Sequence, residues 1–222
     1  MTKKKAWIGL IIGFAGAILG LFGVRFFNQS FIMSMPIWLR MIGMIVIYWL
    51  IALIPVVVVL AGREKIGEYG FTKEKLGHQI VIGILIGAAM SLAFTLIPHL
   101  LGFGSYVSSG KGYRFLWQFI YEFIYCISAI GFVEEFVFRG FIYKKILDIS
   151  MNETVAVIGS SVLFGAFHFF GGNIIQMMVT ACFGAFWCLC RSKIQNCTIL
   201  SLIIAHGIYD ALITVWTCVF SQ

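Results

Sequence analysis

Charged residues are scarce in this 222-residue sequence, and that scarcity excludes most classes of soluble protein. Lys, Arg, Asp and Glu make up 11% of the chain, whereas a soluble domain carries roughly 25% charged residues. Hydrophobic residues make up 61% of the chain, and the mean hydropathy is +1.00. The composition therefore predicts a polytopic membrane protein embedded in a lipid bilayer.

Several signatures of enzymes, metal sites and nucleic-acid-binding proteins are also absent from the sequence. It contains neither the G-x-S-x-G nucleophile motif nor the H-E-x-x-H zinc motif. The six cysteines show no C-x-x-C spacing, so they predict neither a disulfide framework nor a zinc knuckle. No basic stripe with interleaved aromatic residues is present, which argues against nucleic-acid binding.

Apolar stretches long enough to cross a bilayer, about 20 residues each, recur along the whole chain. The predicted fold class is all-α, a transmembrane bundle of about seven to eight helices with a polar site inside the membrane. A further short helix is predicted from Glu134 to about Leu147. The seven predicted spans are residues 6–24, 38–61, 80–101, 115–133, 154–170, 173–190 and 196–220.

The connections between the spans are short. The polar stretch 62–79 and the Gly- and Ser-containing stretch 102–114 are both too short to form a second folded domain. We therefore predict a single transmembrane domain over residues 1–222. Because titratable residues within the apolar segments concentrate in the second half, residues 1–114 are predicted to be scaffold spans and residues 115–215 the motif-bearing catalytic core.

Basic residues are distributed unevenly between the loops. With a cytoplasmic N-terminus, eleven fall on the cytoplasmic side and four on the other, which is the positive-inside pattern. We therefore predict a multi-pass protein of the plasma membrane with its N-terminus in the cytoplasm, and an uncleaved first span. The cytoplasmic group is Lys3, Lys4, Lys5, Arg63, Lys65, Lys73, Lys75, Lys144, Lys145, Arg191 and Lys193, and the outer group is Arg25, Arg40, Lys111 and Arg114.

Three charged residues, Glu134, Glu135 and Arg139, lie within an apolar run. An ionised side chain in hydrocarbon costs about 2.5–3.5 kcal/mol on insertion scales, so such a cluster indicates a partner or a function. On a helix, Glu135 and Arg139 share one face and can form an ion pair. Glu134 is rotated by about 100° from Glu135, so this pair does not account for it. A carboxylate in such a position suits a general base.

Two histidines in later apolar segments are candidates for the same site. His206 and Asp210 are four residues apart and lie on one side of their helix, while His168 lies in another helix. With no nucleophile motif present, these residues favour activation of water by Glu134. A zinc site with ligands from three helices is the competing account, and the spacing leaves it open.

The polar residues outside this cluster receive structural interpretations. Glu122 is predicted either to line the same cavity or to pair with Arg114 near the outer face. Asp148 is interpreted as a loop or helix-cap residue, and Glu153 as a residue in the first turn of the next helix.

Three motifs occur in order: Glu134-Glu135-x-x-x-Arg139, Phe164-x-x-x-His168 and His206-x-x-x-Asp210. They resemble the motifs of the CAAX protease and bacteriocin-processing family, whose bacterial members are often called Abi proteins. The resemblance covers roughly residues 115–215, and residues 69–76 are similar to a short sequence of bacterial members.

This resemblance implies an α-helical intramembrane endopeptidase that works without a metal or other cofactor. Glu134 would activate water together with His168. His206 would bind the oxyanion, and Glu135 with Arg139 would hold the site in register. The implied substrate is a small membrane-associated peptide or protein, such as a bacteriocin or signalling-peptide precursor, and the implied source is bacterial.

Asp210 is implied to share the oxyanion role of His206, but it departs from the family pattern. CAAX-cleaving members commonly have asparagine at this position. Because an ionised aspartate would repel an oxyanion, Asp210 is expected to be protonated or to orient His206.

Two other functions compete with proteolysis. A non-proteolytic member of the same family could act in bacteriocin immunity or bind a regulator, using the polar cluster as a binding site. A small transporter could use the cluster as a proton or ion relay, but the sequence shows no duplicated halves with matching broken segments.

Overall fold

The protein is described by a computed structural model that covers residues 2–170 and 172–220, with only the backbone described at residue 33. Within these residues the structure contains seven helices and no strand, so the predicted all-α class and helix count are confirmed. The helices are α1 (Lys3–Ser30), α2 (Ile37–Ala61), α3 (Leu76–Leu100), α4 (Leu116–Ser150), α5 (Glu153–Phe169), α6 (Ile174–Lys193) and α7 (Ile199–Phe220).

Six of the helices described are long and apolar enough to cross a membrane; α5, with 17 residues, is the short one. Large apolar side chains on the outer faces, such as Leu19 and Leu60, are each 69% exposed. Such exposure would be costly in water but is expected against lipid. The chain is therefore a multi-pass membrane protein.

Helix α4 corrects one prediction. A break was expected between a span ending at residue 133 and a short helix beginning at Glu134, whereas α4 is continuous over 35 residues. Two π-helical segments, Cys126–Gly131 and Phe136–Ile142, flank the short α-helical stretch Phe132–Glu135. The helix does not have to end at its charged residues, because those residues are buried among other helices and do not face water.

The end of α4 corrects a second prediction. Asp148 lies inside the helix, where it forms an ion pair with Lys144 at 2.6 Å, and is not a loop residue. Glu153 is in the first turn of α5, as predicted, and the side chain of Asn152 caps that helix by accepting from the Val155 N–H at 3.2 Å.

The two ends of the bundle have different contents. At the end that we call the Lys145 end, the 62–75 loop meets the end of α4 and the link 194–198, and the Ile199 N–H bonds the Gly70 carbonyl at 3.4 Å. At the opposite end, the Lys111 end, the 101–115 loop is tied to α7, where Ser109 N–H donates to Thr217 Oγ1 at 3.0 Å. The basic residues predicted to be cytoplasmic in these segments thus lie together at the Lys145 end.

Close helix approaches through glycine place the elements that carry the polar cluster. A Cβ atom at Gly83 or Gly87 of α3 would lie 2.6 Å from the carbonyl oxygen of Ser201 or Ala205 in α7. In the same way, a Cβ at Gly20 of α1 would lie 2.6 Å from the Ile51 Cα in α2. Small residues at such contacts allow helix backbones to pack tightly within a membrane. These contacts fix α7 and α2 against the rest of the bundle.

Candidate active site

A cavity of about 370 Å³ lies between helices α2, α4, α5, α6 and α7. Its wall combines titratable side chains with aromatic and aliphatic ones, which is the usual composition of a site that binds and orients a ligand. The residues that line it are Tyr48, Ile130, Glu134, Phe164, His168, Gln176, Thr180, Phe183, Trp187, His206, Tyr209, Asp210 and Ile213.

Glu134 is 3% exposed, and its two carboxylate oxygens have different surroundings. Oε1 accepts a short hydrogen bond from the hydroxyl of Tyr48. Oε2 has no hydrogen-bond partner among the described residues. It lies 3.7 Å from His168 Nε2 and 3.8 Å from His206 Nε2. These separations are too long for direct hydrogen bonds but allow one water molecule to bridge the groups.

The ring of His168 is oriented by its own helix. Its Nδ1 lies 3.0 Å from the backbone carbonyl of Phe164. Because a carbonyl oxygen only accepts, Nδ1 carries the proton in this contact, and Nε2 of a neutral ring is left as an acceptor toward Glu134. The Phe164 ring packs edge-on against the His168 ring, with their centroids 4.5 Å apart. His168 thus presents a basic nitrogen to the cavity.

Glu135 and Arg139 form the predicted ion pair, with Oε1 and Nη1 3.2 Å apart and both side chains buried. The same Oε1 accepts from His206 Nδ1 at 2.7 Å, so one carboxylate joins α4 to α7. The guanidinium carbon of Arg139 lies 3.9 Å from the centroid of the Phe164 ring. His206 stacks on Trp187 with ring centroids 4.4 Å apart. The pair therefore holds the His206 ring from one side while the aromatic residues pack against it.

Asp210 lies one helical turn beyond His206, and its Oδ2 is 3.4 Å from His206 Nε2. The Asp210 side chain is 25% exposed, more than the other carboxylates of the site. Both ring nitrogens of His206 thus face carboxylate oxygens, an arrangement that suits a ring with a proton on each nitrogen.

The backbone near Arg139 is supported from α6. Arg191 Nη1 donates to the Arg139 carbonyl at 2.8 Å, within the second π-helical segment. A Cβ at Gly184 would lie 3.1 Å from Arg139 Nη2 and from the Ser161 Cα, so α6 approaches α4 and α5 closely here. This packing leaves little room for the guanidinium to move.

The structure brings all six sequence-predicted residues together in one cluster. Tyr48 was not predicted as a site residue, because it belongs to the part of the chain predicted to be scaffold. A tyrosine in an apolar stretch is typical of a membrane-interface residue, and nothing in its spacing indicates contact with Glu134. Trp187, which stacks on His206, was missed for the same reason.

Glu122 lies outside the cavity and corrects both alternatives proposed for it. It is near the Lys111 end, where its Oε1 pairs with Lys111 Nζ at 2.5 Å and not with Arg114. Its Oε2 accepts from the Tyr113 hydroxyl at 2.8 Å. Burial, with the hydrogen bond to Glu122, raises the pKa of Tyr113 above its ordinary value, so the hydroxyl keeps its proton and remains a donor.

In the described part of the chain, no three His, Cys, Asp or Glu side chains are grouped as ligands of one metal ion. Comparison with known families matches residues 115–212 to the family described as "Type II CAAX prenyl endopeptidase Rce1-like". Searches of curated proteins and of solved structures gave no match. The matched segment contains all three motifs. The predicted resemblance to the CAAX protease and bacteriocin-processing family is therefore confirmed over residues 115–212.

Proposed function

We propose that this protein is an intramembrane endopeptidase that hydrolyses a peptide bond in a membrane-associated peptide or protein. The observation that carries the proposal is the buried Oε2 atom of Glu134. Among residues 2–170 and 172–220 it has no hydrogen-bond partner, yet it faces the Nε2 atoms of His168 and His206 at 3.7 and 3.8 Å. A buried polar atom without a partner costs about 1–3 kcal/mol, so this arrangement is expected to serve a reaction.

The proposed reaction begins with a water molecule between Glu134 Oε2 and His168 Nε2. Each group accepts one hydrogen of the water, which directs an oxygen lone pair toward the substrate carbonyl carbon. As the C–O bond forms, the proton passes to Glu134 and the carbonyl oxygen becomes an oxyanion. Glu134 then returns the proton to the leaving nitrogen as the C–N bond breaks. No covalent enzyme intermediate is required.

His206 is proposed to stabilise the oxyanion through its Nε2–H. The Glu135 carboxylate holds the opposite ring nitrogen at 2.7 Å, so the ring is oriented before substrate arrives, which is the condition for strong electrostatic stabilisation. Asp210 orients the same ring from the cavity side at 3.4 Å. Arg139 offsets the charge of Glu135 and takes no part in bond making.

The charge of the cavity indicates which substrates fit. Carboxylates of Glu134 and Asp210 line it, and none of its described lining residues is a lysine or arginine. Arg139 is buried under Phe164 and is 1% exposed. A free terminal carboxylate close to the scissile bond would therefore have no cation to pair with. We infer a preference for internal peptide bonds flanked by neutral or basic residues.

The test compares wild type with Glu134→Gln in lipid nanodiscs. An internally quenched apolar peptide library in the same nanodiscs would be analysed by mass spectrometry for cleavage products. We expect products from wild type and none from Glu134→Gln or His168→Ala at equal thermal stability. Glu122→Gln, altered in the same helix but outside the cavity, is the matched control and should cleave. Cleavage by Glu134→Gln would contradict the proposal.

The same assay, repeated after treatment with a chelator, tests whether cleavage requires a metal ion. We expect cleavage to continue after dialysis against a strong chelator. Loss of cleavage that zinc restores would replace the metal-free mechanism with a metal-dependent one.

We further propose that the protein lies in the plasma membrane of a bacterial cell with the Lys145 end in the cytoplasm. The grouping of basic residues at that end supports this orientation. Single cysteines introduced at Lys65 and at Ser105 test it by labelling intact cells with an impermeant thiol reagent, against the unaltered chain as background. Only the residue 105 variant should react above background, and the opposite result would reverse the orientation.

A further inference from the structure

Tyr48 connects the N-terminal helices to the candidate base. Its hydroxyl donates to Oε1 of Glu134, a residue 86 positions later in the chain. Oε2 has no hydrogen-bond partner in the described part of the protein. A carboxylate with one fixed oxygen and one unbound oxygen is held in a single orientation, because rotation about its terminal bond would break the bond to Tyr48.

The Tyr48 ring is held by a series of aromatic contacts. It packs edge-on against Tyr125 of α4 with ring centroids 6.1 Å apart. Tyr125 stacks on Tyr121 at 5.9 Å. The Tyr121 hydroxyl then donates back to the Met41 carbonyl in α2 at 3.1 Å. The contacts thus run from α2 to α4 and return to α2, so the ring has little freedom.

The backbone at this point of α2 is also unusual. Regular hydrogen bonding is interrupted at Trp49, between the segments Ile37–Tyr48 and Leu50–Ala61. The Trp49 ring packs on Phe132, two residues before Glu134, with centroids 4.8 Å apart. Two consecutive residues of α2 therefore contact the stretch of α4 that carries the glutamates.

Helix α1 packs against the segment of α2 that follows Tyr48. Ile51 is fully buried, and its Cα would lie 2.6 Å from a Cβ added at Gly20. The backbone of α1 therefore packs directly against the turn of α2 that follows Tyr48. This contact fixes the backbone of α2 next to Tyr48.

We propose that Tyr48 is a positioning residue of the protease site: it occupies Oε1 of Glu134 and thereby presents Oε2 to the water and the two histidines. The proposal rests on the function proposed above, which it deepens by naming the residue that holds the Glu134 carboxylate in its reactive orientation. It also gives the N-terminal helices, expected to be only scaffold, a part in forming the site.

A spectroscopic experiment tests the contact without requiring a substrate. Infrared difference spectra of wild type and Glu134→Gln identify the band of the Glu134 carboxylate. Tyr48→Phe removes one oxygen atom and should shift that band. Tyr113→Phe removes the hydroxyl that donates to Glu122 near the Lys111 end, and should leave the Glu134 band unchanged. An unshifted band in Tyr48→Phe would overturn the proposal whatever the activity.

A kinetic experiment tests the consequence. With an internally quenched apolar peptide that wild type cleaves, Tyr48→Phe should lower kcat by about 10- to 100-fold, the effect expected of a misplaced catalytic group. KM should stay within about twofold, and Tyr113→Phe should change neither constant by more than that. A raised KM with unchanged kcat would overturn the proposal by assigning Tyr48 to substrate binding. If Tyr48→Phe shifts the Glu134 band but wild type cleaves no peptide, the contact between Tyr48 and Glu134 is established. That result would contradict the protease function alone.

Discussion

Two glutamates on helix α4 are equally buried but differently bonded. Glu122 and Glu134 are 2% and 3% exposed. Near the Lys111 end, Glu122 accepts from Lys111 and Thr214 on one oxygen and from Tyr113 on the other. In the cavity, Glu134 has a partner on one oxygen only among the described residues. The two carboxylates are three turns apart on one helix and belong to different kinds of site.

This difference shows which buried charges in a membrane indicate function. A buried carboxylate is costly unless donors and counter-charges compensate for its lost hydration. At Glu122 the compensation is complete, and the residue ties a loop to the bundle. At Glu134 it is incomplete on the side that faces the cavity. The feature that marks a candidate catalytic group is thus an unbound oxygen that faces the cavity. Glu135 Oε2 also has no hydrogen-bond partner among the described residues, but Glu135 does not line the cavity.

The largest expected effect separates these two residues directly. Glu134→Gln should lower the cleavage rate by at least about 10³-fold, within the range for a general base, and leave the melting temperature near the wild-type value. Glu122→Gln should lower the melting temperature, because it removes the counter-charge of Lys111. It should leave the cleavage rate near the wild-type value, because Glu122 does not line the cavity. Cleavage rates and thermal melts in the same nanodiscs measure both. A loss of cleavage in Glu122→Gln at wild-type stability would contradict the structural role assigned to Glu122.

The second effect concerns two histidines with the same local bond. His168 Nδ1 lies 3.0 Å from the carbonyl four residues earlier, and His99 Nδ1 lies 2.9 Å from the equivalent carbonyl of Thr95. Of these two histidines, only His168 faces a carboxylate among the described residues. We expect His168→Ala to lower kcat by about 10²- to 10⁴-fold and His99→Ala to leave it nearly unchanged. Equal losses in both variants would show that the helix bond, rather than the contact with Glu134, is what matters.

A third glutamate extends the comparison to the Lys145 end. Glu64 accepts from Lys145 Nζ at 2.6 Å and from the Tyr69 hydroxyl. Burial alone would raise its pKa, but the bonds from Lys145 and Tyr69 outweigh burial and lower the pKa of Glu64 below its ordinary value. Because Lys145 is fully buried, Glu64→Gln should cost about 3–5 kcal/mol of stability at neutral pH.

The sign of the pH dependence follows from the lowered pKa. The pair contributes its full stability above the unfolded-state pKa of about 4.3, and that contribution is lost as pH falls through the lower folded-state value. The gap in melting temperature between wild type and Glu64→Gln should therefore close on acidification. Thermal melts from neutral pH to about pH 3.5 measure it, and a gap independent of pH would contradict the assignment.

The smallest expected effect concerns substrate charge. Of two quenched peptides that differ only in a terminal carboxylate or carboxamide close to the scissile bond, the amide should be cleaved roughly fivefold faster, a difference of about 1 kcal/mol. Asp210→Asn removes one carboxylate from the cavity and should reduce the difference in cleavage rate between the two peptides. A preference for the free acid would contradict the inferred selection against terminal carboxylates.

The sequence predicts local parts of the site better than distant ones. The pairing of Glu135 with Arg139 follows from helical spacing, and hydropathy alone locates most of the spans. The bonds from Glu135 to His206 and from Glu134 to Tyr48 join residues 71 and 86 positions apart. Apolar periodicity does not determine which helices are neighbours, so these contacts could not be derived. The continuity of α4 was not predicted because the span 115–133 and the helix from Glu134 were interpreted as separate elements, and π-helical segments have no compositional signal.

The π-helical segment Phe136–Ile142 of α4 has an evolutionary consequence. A π turn accommodates one more residue than an α turn, so deletion of one residue there would convert the segment to a regular α turn and leave the rest of the helix facing the same way. Lys145 would then keep its place against Glu64, and Glu134 and Glu135, which precede the segment, would keep theirs. In natural relatives, a single-residue gap between positions 136 and 142 should therefore coincide with retention of both the Lys145–Glu64 pair and the two site glutamates.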